Sequence, residues 1–111
     1  MRRLAFLLAG LALLAVGCGK SGGSKGDVGS LLIAVDVPVT GSPYVAQTIR
    51  QGVELAASSL NAGGGIRAGD RSYLLQVKLY DNHLSARQAV EDTRRALDAG
   101  AVTIVTDGTG V

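Results

Sequence analysis

Tryptophan is absent from this 111-residue chain, and cysteine, histidine and phenylalanine each occur once. A single thiol, Cys18, closes no internal disulfide, and with His83 as the one histidine no zinc ligand set can be assembled. Phe6 and three tyrosines give no stacking platform, and there is no basic run, so nucleic acid is excluded as a partner. His83 falls in a loop away from any nucleophile and reads as a surface histidine. Asp81-Asn82 supplies too few oxygen donors for calcium and reads as turn and capping chemistry. The chain is therefore read as a non-enzyme without metal or cofactor.

What is present begins with Met1-Arg2-Arg3 and an apolar run of 13 residues, Leu4 to Val16. That length suits a secretory signal core and falls short of the roughly 20 residues needed to span a bilayer. Ala15-Val16-Gly17-Cys18 resembles a bacterial lipobox, with Ala15 where leucine is usual, which implies cleavage before Cys18 and a lipid on its sulfur. Residues 1–17 are then a lipoprotein signal peptide. Loss of Arg2 and Arg3 leaves nine basic and nine acidic residues, so the mature chain is neutral. Residues 18–30, rich in Gly, Ser and Lys, read as a flexible tether. The foldable part is 31–111.

Leu31 to Val39 is a nearly continuous apolar, β-branched run, the pattern of a strand covered on both faces. Asp36 interrupts it, as a strand-end carboxylate or, alternatively, a binding residue. Ser42-Pro43 has the form of a helix cap, and Val45, Ile49, Val53, Ala56 and Leu60 form a helical stripe ended by Asn61-Ala62-Gly63-Gly64-Gly65. Ile66 to Arg71 reads as a polar turn and Tyr73 to Tyr80 as a second strand. Ser85 and Gln88 form a capping-box pattern before a helix over 86–99, with Ala86, Ala89, Val90, Thr93 and Leu97 on its buried face. Val102 to Thr106 reads as a third strand, which leaves the edge of the sheet uncharged.

This alternation predicts an α/β fold, a Rossmann-like three-layer αβα lobe with a parallel sheet in the order 2-1-3. Its crevice lies at the carboxyl ends of strands 1 and 3. Two loops meet there, and they nominate Thr40, Gly41, Ser42, Tyr44, Thr106, Gly108 and Thr109 as ligand-binding residues. The turn before the first helix offers free N–H groups to an anion, the threonines offer hydroxyls, and Tyr44 offers an aromatic wall. Gly63 to Gly65 follows a helix and is no phosphate cradle, and Asp107-Gly108-Thr109-Gly110 alone is a weak glycine-loop signal.

The stretch Pro38-Val39-Thr40-Gly41, then Gly52 with Glu54-Leu55-Ala56, then Asn61-Ala62-Gly63-Gly64-Gly65-Ile66, resembles the opening of type 1 periplasmic solute-binding proteins of the branched-chain amino-acid class. Asp81-Asn82, Ala89-Val90 and the TIVTDGTGV segment match in order, with Leu60 for the common isoleucine and Thr106 where glycine is usual. The resemblance implies two lobes closing on a ligand that ABC permease subunits then import. It makes 31–111 the N-terminal part of lobe 1, truncated within a larger domain. The expected function is an extracytoplasmic receptor, lipid-anchored to the cell-envelope membrane through Cys18, for a small polar ligand such as an amino acid or related carboxylate. A ligand-sensing lipoprotein acting on a signalling partner is the alternative, followed by an anchored α/β enzyme with its catalytic part elsewhere.

Overall fold

A computed structural model describes residues 28–108. The signal segment, Cys18, most of the tether and Thr109 lie outside the described residues. Six elements follow in order: β1 (Val28–Val37), α1 (Pro43–Ala62), β2 (Ile66–Ala68), β3 (Arg71–Asp81), α2 (Ala86–Asp98) and β4 (Ala101–Thr106). They form an α/β domain with one sheet in the order β2-β3-β1-β4. β1 pairs in parallel with β3 from Val28↔Ser72 to Val37↔Asp81, and with β4 from Leu32↔Ala101 to Asp36↔Thr106. Val28 to Ser30 thus belong to β1 and not to the tether, because the amino end of β3 gives them a partner.

The sheet is mixed, not wholly parallel. Ile66–Ala68, expected as a turn, is an edge strand antiparallel to β3, with Ala68 opposite Arg71. The two-residue connection Gly69-Asp70 opens on a positive φ of 64° at Gly69, which suits a tight hairpin turn. Gly65 enters this hairpin at φ 83°, where a Cβ would stand 2.2 Å from the Tyr73 carbonyl oxygen. Only glycine lets the chain pass there.

Alternate residues of β1 serve two cores, as the period of a strand dictates. Val35 and Val37 pack with Ala46, Ile49 and Val53 of α1, together with Val77, Leu79 and Val105. Ala34 packs on the opposite face with Tyr80 and Ala96 of α2, flanked by Ala101 and Ile104. Pro43 opens α1 at its first turn, while the Ser42 side chain makes no capping bond. At its other end, Asn61 pairs with the backbone of Leu75, donating from Nδ2 to the carbonyl at 2.9 Å and accepting from the amide at 2.8 Å. Asn61 thereby mimics a strand partner and fixes α1 to β3.

α2 is rotated from the face expected of it. Asp92 and Ala96 are its buried residues, while Val90 and Leu97 are 50% and 58% exposed. The helix sits beside the edge strand β4, and its small Ala96 allows close approach to Ala34 and Tyr80, leaving the Val90–Leu97 flank uncovered. Ser85 caps it by accepting from the Gln88 amide at 3.4 Å. The reciprocal half of the capping box is not made, because the Gln88 side chain donates to Asp92 at 3.0 Å.

Candidate functional site

The carboxyl ends of β1, β3 and β4 share one rim, and side chains from the loops beyond them are tied together there. Asp81 ends β3 and accepts from the Thr40 backbone amide at 3.1 Å and from the Thr40 hydroxyl. It accepts also from the His83 amide at 3.1 Å, and the exposed His83 ring lies 3.3 Å away at Nδ1. Burial alone would raise the Asp81 pKa, but these donors and the nearby imidazole outweigh it and hold the carboxyl below its ordinary value. The donors of Thr40 are therefore turned to a carboxylate of the chain itself. Gly41 lies against the Leu84 side chain, which a Cβ there would meet at 2.8 Å.

Asn82 occupies the centre of the rim at 1% exposure. Its backbone amide donates to the Val37 carbonyl at 3.3 Å, and its side chain accepts from the Leu84 amide at 3.0 Å and donates to Asp107 at 3.2 Å. Immediately after it, His83 and Leu84 hold positive φ values of 55° and 54°. Two successive non-glycine residues in that region are strained, and the bonds made by Asn82 and Asp81 hold them in place.

Behind the rim, on the α2 side of the sheet, lies an open cavity of about 380 Å³. Ala86, Ala89, Val90 and Thr93 of α2 form one wall, Arg94 stands at its edge, and Thr106, Asp107 and Asn82 close the other side. Asp36 also lines it, at 1% exposure. Burial, then the carboxylates of Asp92, Asp107 and Asp81, and a hydrogen bond shared with Asp92, push the Asp36 carboxyl up from 3.8 to about 6. Asp92, fully buried, is held by Arg95 and Gln88.

No protein-family model, curated protein or solved structure matches this chain at a significant level. The geometry of the rim must therefore carry the functional reading.

Of the residues nominated from the sequence, Thr106 lines this cavity. Thr40, Gly41 and Ser42 stand on the loop after β1, at the same rim, but Thr40 is bonded to Asp81, Gly41 packs on Leu84, and the Ser42 amide donates to the Pro38 carbonyl at 2.8 Å. Tyr44 is 83% exposed on α1, on the other side of the sheet, and lines neither this cavity nor the smaller one beside Pro43, Gln47 and Arg50. Gly108 is exposed beyond Asp107. The structure adds Asn82 and Asp107 to the cavity wall and sets Asp92 beside Asp36. Asp92 was hidden inside a charged helical stretch, where only its burial against Asp36 distinguishes it from the solvated residues around it.

Proposed function

We propose that residues 31–111 are the N-terminal part of a ligand-binding lobe in an extracytoplasmic solute receptor, anchored by lipid at Cys18, that delivers a small polar ligand to ABC permease subunits. The observation that carries this reading is the cavity at the carboxyl ends of β1 and β4, with the buried Asp36 carboxyl in its wall. In parallel α/β sheets, ligands bind outside the carboxyl ends of the strands where neighbouring connections leave in opposite directions. Here β1 leads through α1 to β3 on one side, while β4, reached through α2, lies on the other. The lipobox-like Ala15-Val16-Gly17-Cys18 and the ordered motifs from Pro38 to Ile66 support the same reading.

Deleting the gene and following uptake of labelled amino acids tests the receptor function. Loss of uptake of one solute class, restored by the gene but not by a Cys18→Ala version, is the expected result. Unchanged uptake of every solute overturns it. Uptake intact but transcription no longer responsive to a solute would favour the sensing lipoprotein instead.

A further inference from the structure

We propose that the β2–β3 hairpin end of the sheet is a membrane-facing surface, which rests on an anionic lipid bilayer and holds the rim away from it. The inference takes the lipid at Cys18 from the receptor reading and goes beyond it in assigning the face that meets the bilayer.

Residues 19–27 alone separate Cys18 from Val28, the first residue of β1. Even fully extended, that segment reaches only about 35 Å. It enters the sheet where Val28 lies beside Ser72, at the same end as the turn between β2 and β3. The rim stands at the other end of β1 and β3, beyond Val37 and Asp81. A lipid on Cys18 therefore holds the domain by its hairpin end.

The side chains at this end fit a headgroup layer. Arg67 pairs across from Ser72, and Val28 flanks Ser72 on its other side, so one row crosses β2, β3 and β1 on a single face of the sheet. Leu74, two residues further along β3, shares that face. Val28 and Leu74 are exposed there, because α2 packs farther along the strands, on Ala34 and Tyr80. Arg71, whose guanidinium lies over the Tyr73 ring, flanks the turn. Isolated apolar side chains set beside arginines suit contact with lipid headgroups and differ from the continuous apolar centre of a protein interface.

Charge is distributed to match. Lys20 and Lys25 precede β1, and Arg67 and Arg71 frame the turn, against Asp27 and Asp70. At the rim Asp36, Asp81, Asp92 and Asp107 gather, and Arg87, Arg94 and Arg95 of α2 offset part of that charge. An anionic surface attracts the first end and repels the second, so electrostatics favour the orientation that the attachment point imposes.

The test places the mature chain, lipid-modified and isotope-labelled, on bicelles of phosphatidylcholine and phosphatidylglycerol that carry a lanthanide-headgroup lipid. Paramagnetic broadening is expected at the amides of Arg67 to Arg71 and not at those of Asn82 and Thr106. Broadening centred on the rim, or equal at both ends, overturns the proposal. The surface alone is read with Cys18→Ser by cosedimentation with vesicles. Partitioning is expected to fall more than about tenfold when phosphatidylglycerol is left out, and by a similar factor with Arg67→Gln and Arg71→Gln together. Arg50→Gln, which removes a cation from the middle of α1, is expected to change it less than about twofold. Partitioning indifferent to phosphatidylglycerol, or lowered as much by Arg50→Gln as by the hairpin pair, overturns the proposal. The intact mass of the native chain separates the two readings. A mass without lipid, with the hairpin still selecting phosphatidylglycerol, removes the anchor and keeps the surface. A lipid-modified mass without hairpin broadening keeps the anchor and removes the surface.

Discussion

Asn82 Nδ2 lies 3.2 Å from Asp107 Oδ1, a bond that joins the ends of β3 and β4 across the intervening β1. Backbone pairing cannot connect those two strands directly, because β1 separates them. One residue therefore binds three loops into a single rim, since the Asn82 backbone amide also donates to the Val37 carbonyl.

Replacement of Asn82 by alanine is expected to cost about 2 kcal/mol, because Asp107 and the Leu84 amide lose a partner in a buried setting. Thermal unfolding by circular dichroism measures it. Asn82→Asp should be more damaging at neutral pH, adding a carboxylate beside Asp107, and should recover part of the loss in acid. Equal stability of the two variants at neutral pH would remove the bridging role.

Asp36 makes stability depend on pH in an unusual direction for a carboxylate. Its native pKa of about 6 exceeds the unfolded 3.8, so the folded state holds the proton more firmly. The contribution is complete below about 3.8 and is lost as pH rises through 6. Asp36→Asn is expected to flatten the stability profile in that window and to stabilise the fold at neutral pH by up to about 3 kcal/mol. Urea titrations across the window decide the point; a steeper profile in the variant would contradict the assignment.

Asp81 acts in the opposite sense. Its carboxyl is held low in the folded chain, so its contribution is present above the unfolded value and declines as pH falls through the native one. Asp81→Asn and Thr40→Val should each destabilise at neutral pH by about 1–2 kcal/mol, and the double variant by less than the sum. Strict additivity would show that the two groups do not act on each other.

The hairpin offers a steric test. Gly65→Ala places a methyl group 2.2 Å from the Tyr73 carbonyl at a positive φ, and loss of the β2–β3 pairing is expected. Gly64→Ala has the same sign of φ but nothing within 4 Å, so it should cost only about 1 kcal/mol. Hydrogen exchange at Tyr73, whose pairing with Ile66 depends on the turn, separates the two outcomes.

Much of the architecture was legible because local signals were long and redundant. The run through Val35 and Val37 reads as a doubly covered strand, Pro43 marks the start of α1, and Ser85 caps α2. β2 was missed because it spans only three residues, although Gly69-Asp70 ahead of the β3 run is a hairpin signal in its own right. The face of α2 differs from the expected one because hydrophobicity alone counts Val90 and Leu97 as core and gives no sign that Asp92 is buried. A buried carboxylate is decided by partners distant in sequence, here Asp36 of β1, and no window along the helix contains them. Asn82 escaped for the same reason: as a turn residue it was explained, but its bond to Asp107 spans 25 positions.

The hairpin turn at Gly69-Asp70 stands at the opposite end of β3 from Asp81, about 30 Å away along an extended strand. Its residues are exposed and polar, and none of them faces the rim. A fluorophore, an affinity handle or a surface-coupling residue placed at this tip would leave the rim facing outward from a chip or bead. The fold thus comes with its own mounting point, at the far end from the chemistry it presents.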